Sequence, residues 1–155
     1  NLDGLSKDDF LGLYATNTVG PYMMIKEARE SLLQSDNPSV VNVASIAGVL
    51  GIGSSVAYAA SKGALINMTK SLARALGPIR INAICPGFIQ GDWLKNGLGD
   101  ETYEFVKKST EESVPLNLTC TAEQVAETIC YFIESGSTIT GETLLLDGGM
   151  HLGNY

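Results

Sequence analysis

The sequence is poor in the residues that assemble metal centres. It has a single histidine, His151, and three cysteines, Cys85, Cys120 and Cys130, without the spacing that zinc or iron–sulfur ligands share. Neither a metal site nor a Ser-His-Asp triad can be drawn from that set. An odd number of cysteines with no metal pattern reads as reduced thiols filling core space, in a reducing, cytoplasmic compartment. Basic charge is also short: 10 lysines and arginines stand against 17 acidic residues, a net charge of -7. A body of that sign repels phosphate backbones, which excludes nucleic acid as a natural partner. No apolar run approaches the ~20 residues of a membrane span. No basic-then-apolar leader opens Asn1-Leu2-Asp3-Gly4, so no membrane partner is expected.

What is present is enough for one packed domain: 155 residues, 45% of them hydrophobic and 17% charged. Ser6 followed by Asp9 marks a helix start, because a short side-chain oxygen can accept an orphan backbone N–H there. Phe10, Leu13, Asn17, Met24, Ala28 and Leu32 then recur at helical spacing to about Gln34, with Pro21 as an interruption. Val40–Ala44 is β-rich and apolar, the pattern of a strand buried on both faces. A loop rich in glycine and serine follows to about Ser55, then a helix from Val56 to Leu76 that Gly77-Pro78 ends. Ile79–Cys85 reads as a second buried strand. A long irregular segment begins at Pro86, with a short helix from Glu101 to Glu112. Thr121 and Gln124 form a capping box for a helix to about Ser135, and Thr143–Leu146 reads as the last strand. Strands alternating with helices predict an α/β fold: a Rossmann-like, doubly wound parallel sheet with helices on both faces.

The chemistry concentrates in Tyr58-Ala59-Ala60-Ser61-Lys62. Residues four apart on a helix share a face, one turn apart. A free phenol with a pKa near 10 is ionised in only about one molecule in a thousand at neutral pH, and an adjacent ammonium favours the phenolate. Such a pair is usable for proton transfer. By itself it is also what a lysine stem snorkelling over an aromatic ring looks like. Ser45 changes the weighting. It follows directly on a strand, and Tyr58 opens the next helix, so both hydroxyls fall at the carboxyl edge of a parallel sheet, where such folds bind ligands. There they can grip one carbonyl oxygen between them. Asn17 adds a fourth element for a physical reason. In an α-helix its carbonyl would accept from the N–H of residue 21, but Pro21 has none. That carbonyl is left free beside a kink, where it can recruit a water and extend a proton path through Lys62.

In order and spacing, Asn17, Ser45, Tyr58 and Lys62 resemble the Asn-Ser-Tyr-Lys tetrad of the short-chain dehydrogenases/reductases. Asn17-Thr18-Val19-Gly20, Val41–Ser45, Pro86-Gly87-Phe88-Ile89 and Ile139–Gly149 resemble further segments of that family, so the likeness extends along nearly the whole sequence. The resemblance implies that residues 1–155 are the C-terminal catalytic part of a single Rossmann-fold domain. It implies an NAD(P)-dependent oxidoreductase that interconverts a ketone and a secondary alcohol. By the same resemblance, Tyr58 is the general acid/base and Ser45 polarises the substrate oxygen. Lys62 holds the nicotinamide ribose, and Asn17 holds a relay water. Pro86, Gly87 and the backbone of Ile89 lie against the nicotinamide. The 3-oxoacyl-(acyl carrier protein) reductase-like members are the nearest subgroup, although sugar, polyol and steroid dehydrogenases share these motifs.

Two departures qualify that picture. The family's glycine-rich nucleotide loop and its Asn-Asn-Ala-Gly strand end belong upstream of this sequence, and with them the choice between NAD and NADP. Gly48-Val49-Leu50-Gly51-Ile52-Gly53 has the wrong spacing to replace the loop; its glycines are expected to lend mobility beside the substrate. Gly91 stands where the family often has a cofactor-binding threonine. The apolar residues Trp93, Leu94, Leu98, Tyr103 and Phe105 either form a lid over the substrate or pack only on their own domain. Ala59, Ala60 and Gly63 leave a small-residue surface on the Tyr58–Lys62 helix, against which a second copy is expected to pack as a homodimer or homotetramer. From other classes, a non-catalytic scaffold and a fragment without activity of its own remain as alternatives. An intact tetrad argues against the scaffold.

Overall fold

The computed structural model describes residues 4–153; the first three residues and the last two lie outside it. Helix α1 (Lys7–Tyr14) opens with the expected reciprocal cap, Ser6 Oγ accepting from Asp9 N–H while the Asp9 carboxylate accepts from Ser6 N–H. It runs without a break into one turn of π-helix, Ala15–Val19, and then into α2 (Gly20–Leu33). The interruption predicted at Pro21 is therefore a widened turn. Pro21 cannot donate to Asn17, and the ladder just before it shifts by one residue, so that Gly20 N–H reaches Ala15.

Three parallel strands follow: β1 (Ser39–Val43), β2 (Arg80–Pro86) and β3 (Thr143–Leu146), in the order β1-β2-β3. Helix α4 (Val56–Ala75) connects β1 to β2. The connection from β2 to β3 carries α5 (Asp92–Leu98), α6 (Asp100–Ser113) and α7 (Ala122–Glu134). The pleat of β2 separates two cores. Ile81 packs with Ile25 of α2 and Leu72 of α4, and Ala83 and Cys85 pack with Leu65 of α4; on the other face Ile84 meets Val125 and Phe132 of α7. Helices thus cover both faces. Because the strands step in one direction while the two crossovers lie on opposite faces, the crossovers have opposite hands. One of them breaks the right-handed rule that about 98% of such connections obey.

Several expectations need correction. In these residues β1 is not buried on both faces: only Asn42 is buried, Val43 is exposed, and β1 pairs with β2 alone among the described residues. The loop after Ser45 contains a short helix, α3 (Ala47–Leu50). The segment after Pro86 is mostly helical rather than irregular, and α5 went unread because its first turn has no side-chain cap. Of the cysteines, Cys85 and Cys120 are buried thiols, but Cys130 lies exposed on α7. His151 hydrogen-bonds the Asp147 carboxylate, at 2.9 Å from its Oδ2. Among the described residues, no helix is long and apolar enough to cross a membrane.

One buried charge ties the sheet to α7. Arg80, at the start of β2, is 8% exposed and has no carboxylate partner among the described residues. Its guanidinium donates to the carbonyls of Phe132 (2.7 Å), Gly136 (2.7 Å) and Ile133 (3.0 Å), and to Asn37 Oδ1 (2.9 Å). The carbonyls at a helix C-terminus lack intrahelical partners and carry partial negative charge, so they take the place of a counterion. Arg80→Met is expected to destabilise the protein by about 3 kcal/mol, because it strands two buried acceptors, the carbonyls of Phe132 and Gly136. Urea unfolding checks this; a loss below about 0.5 kcal/mol, within the range of ordinary surface changes, rejects it.

Candidate active site

The carboxyl ends of β1 and β2 stay paired beyond the strands themselves. Ala44 N–H donates to Ile84 O at 2.8 Å and Ile46 N–H to Pro86 O at 3.0 Å. Ser45 and Pro86 are therefore held side by side at one edge of the sheet. Ser45 is buried, and its Oγ accepts from Ala47 N–H at 3.1 Å. That bond uses a lone pair, and the hydroxyl proton stays available for a substrate oxygen.

Tyr58 lies in the first turn of α4, where Ser55 caps the helix by accepting from Tyr58 N–H at 3.1 Å. Gly53 sits between Ala47 and the Tyr58 ring. A Cβ there would lie 3.1 Å from Ala47 Cβ and 3.6 Å from Tyr58 Cδ1. Ser45, Ala47, Gly53 and Tyr58 thus form one continuous wall. One turn on, Lys62 Nζ lies 5.8 Å from the centre of the Tyr58 ring and donates to Val43 O at 2.9 Å. That carbonyl ends β1, so the ammonium is tethered at the same sheet edge. Burial pushes the Lys62 pKa below its ordinary value, an effect that Cys85 partly opposes. Two of its three protons are left for other partners.

Asn17 enters from the π turn. Its Nδ2 donates to Ser61 Oγ at 3.1 Å, and Thr18 Oγ1 donates to Ser61 O at 3.0 Å. Asn17 and Lys62 line the same groove, a concavity of about 510 Å³ between α2 and β1. Ser45, Tyr58 and Pro86 do not line that groove, so it takes in two of the four candidate groups, Asn17 and Lys62, and leaves the two hydroxyls outside.

The Pro86–Ile89 segment turns over the end of β2. Gly87 donates to Leu146 O at 2.9 Å and passes so close to Asp147 that a Cβ would lie 3.1 Å from its Cα. Phe88 O and Gln90 N–H both bond to Cys120, at 2.9 and 2.8 Å. The intervening N–H and C=O of Ile89 therefore point away from residue 120, as alternation along an extended chain requires. Gly91 is extended, and nothing lies within 4 Å of a Cβ built on it, so neither strain nor crowding excludes a threonine there.

The structure thus gathers Asn17, Ser45, Tyr58, Lys62, Pro86, Gly87 and Ile89 around one sheet edge. It separates the proposed lid residues: Tyr103 is buried against Phe88, ring centres 5.5 Å apart, whereas Trp93 is 87% exposed and Phe105 74%. Sequence reasoning missed Ser61 and Thr18. The signal for Ser61 was its place inside the Tyr58–Lys62 interval, three residues after the tyrosine and so on its face of the helix. One glycine of the run has a packing role that the sequence reading did not give it. Gly48 belongs to α3, where a Cβ would lie 2.5 Å from Gly63 N and 2.6 Å from the Lys62 carbonyl carbon. The two backbones touch, and the small-residue surface at Gly63 is filled from within the chain.

A family model described as enoyl-(acyl carrier protein) reductase matches residues 1–151. The human 3-oxoacyl-[acyl-carrier-protein] reductase is 34% identical over 158 residues, covering 98% of this chain and 63% of its own length. The solved structure of ElxO with NADP bound aligns at TM-score 0.85 and 30% identity, over 97% of this chain and 61% of its own. That of 4-hydroxyisoleucine dehydrogenase complexed with NADH aligns at TM-score 0.86 and 29% identity, over 99% and 63%. The chain spans between 55% and 65% of the length of the curated relatives it matches.

Gly48→Ala is expected to cost about 2 kcal/mol, since neither backbone can give way without shifting α3 off α4. Thermal unfolding checks it, with Gly97→Ala, which meets nothing within 4 Å, as the comparison. Equal melting temperatures for the two variants would refute the close contact.

Proposed function

The chain belongs to the short-chain dehydrogenase/reductase family, and from that premise we propose that it carries the catalytic half of an NAD(P)-dependent oxidoreductase interconverting a ketone and a secondary alcohol. The observation that carries the reading is the common placement of the Ser45 hydroxyl, the Tyr58 ring and the Lys62 ammonium at the edge where β1 and β2 end. The family's dinucleotide loop is not in this sequence, and the reading assigns the adenosine side of the cofactor to a separate half-domain of the kind the family carries. The residues present fit the nicotinamide side. Lys62 has two unused donors for ribose hydroxyls, Gly87 keeps the chain low over the strand end, and Ile89 presents an N–H and a C=O free of the pairing with residue 120. When bound, the nicotinamide supplies or accepts the hydride.

In the reducing direction, Ser45 donates a hydrogen bond to the substrate carbonyl oxygen and leaves the carbon more electrophilic. Tyr58 delivers its phenolic proton to that oxygen as the carbon–hydrogen bond forms, giving the alcohol. The proton lost from Tyr58 is restored from the groove that Asn17 lines, by way of Lys62. A lysine whose pKa is lowered by burial releases a proton more readily than an exposed one. A water held at the π turn beside Asn17 links that path to solvent. Trp93 and Phe105, on α5 and α6, are the apolar groups left free to cover a partly apolar substrate.

In the full-length protein, Tyr58→Phe is expected to reduce NAD(P)H oxidation with a panel of ketones by at least about a hundredfold, with circular dichroism unchanged. A variant that keeps wild-type turnover would end the reading. We also propose that a second copy packs on α1, α2 and α4, where Leu11, Tyr22, Met23, Val56 and Ala60 are exposed, to form a homodimer or homotetramer. Sedimentation at micromolar concentration should give a multiple of the monomer mass; monomer alone would refute it.

A further inference from the structure

One fully buried hydroxyl stands inside this site without a part in the chemistry above. Ser61 is 0% exposed, between Tyr58 and Lys62 on α4. Its Oγ donates to the Tyr58 carbonyl at 2.8 Å and accepts from Asn17 Nδ2 at 3.1 Å. Its own carbonyl accepts from Thr18 Oγ1 at 3.0 Å. Two neighbouring side chains of the π turn therefore end on a single residue of α4.

Counting protons fixes the direction of these bonds. A serine hydroxyl has one proton, and here it goes to the Tyr58 carbonyl. Only lone pairs remain to face Asn17, and only the nitrogen of its amide can meet them. The Asn17 side chain is thereby held with its NH2 group toward α4 and its oxygen away. We infer that Ser61 is a positioning residue. It locks the Asn17 amide and, with Thr18, sets the register of the π turn against the Tyr58–Lys62 face. The backbone of Asn17 is then held in place where Asn17 and Lys62 share the groove.

The molecule contains its own control. Thr69, two turns further along α4, is also 0% exposed; it donates back to Leu65 O and accepts from Asn42 Nδ2, both at 2.9 Å. The bonding is the same, but the partner is a strand residue rather than the π turn. If these hydroxyls only fasten α4, both should matter for stability and neither for turnover.

This inference rests on the oxidoreductase reading, and the experiment separates the two. In the full-length protein, Ser61→Ala and Thr69→Ala are compared by melting temperature and by kcat, KM and the pH profile of kcat with NADPH and the best ketone of the panel. Both should lower the melting temperature. Ser61→Ala alone should lower kcat by about tenfold and displace its pH profile by about one unit, with KM within about twofold. If Ser61→Ala retains wild-type kcat and pH profile, Ser61 is merely structural. A second arm needs no turnover. The Asn17 side-chain NH2 resonance, assigned by its loss in Asn17→Asp, should be protected from solvent exchange in the wild type and lose that protection in Ser61→Ala. Fast exchange in the wild type overturns the inference whatever the activity. Slow exchange in a protein that reduces no ketone removes the oxidoreductase reading and leaves the hold of Ser61 on Asn17 intact.

Discussion

The dry contact between α4 and β2 is the constraint on which the other features depend. Ala57, Leu65, Ser61 and Thr69 on the helix and Ile81, Ala83 and Cys85 on the strand are essentially excluded from water. Close packing of this kind tolerates little displacement, because interiors are as dense as organic crystals. Tyr58 and Lys62 ride on the same helix one turn apart, so the rigidity of the core is passed to them directly. The strand contributes the rest of the site: past its end the chain stays bonded to β1 on one side and β3 on the other, which aligns Ser45 and Gly87 without a long loop.

Polar groups do as much of this fastening as apolar ones. Asn42 bonds to Thr69, and Asn82, buried in β2, donates to Ile139 O and accepts from Glu142 N–H. Each of these side chains meets a complementary partner, so burial carries little penalty and the register becomes specific. Asn82 in particular pins the approach to β3, and so sets which residues of the Asp147–Gly149 turn lie beside Gly87. Arg80 does the same for α7 on the opposite face.

Much of this was legible from the residues. The strand Thr143–Leu146 and the caps at Ser6 and Thr121 carry local signals strong enough to survive any tertiary context. The seven candidate site residues were put forward for a different reason: each lies in a motif whose parts are close together in sequence, and the structure brings those motifs to one sheet edge. Long-range effects were not. The half-exposed state of β1 depends on what stands beside it, which its own apolar run cannot reveal. The π turn needed the ladder to respond to Pro21 by widening rather than bending, a choice settled by Thr18 and Asn17 reaching α4. The role of Gly48 was not legible because composition distinguishes poorly between a glycine that moves and one that lets two backbones meet.

That meeting has a mechanical consequence. Where Gly48 rests on Gly63 and the carbonyl of Lys62, no side chain lies between α3 and α4 to absorb displacement by changing rotamer. The outer surface of α3 presents Val49 and Leu50 to its surroundings. Pressure applied there reaches the lysine by way of this contact between peptide planes, as through a push-rod.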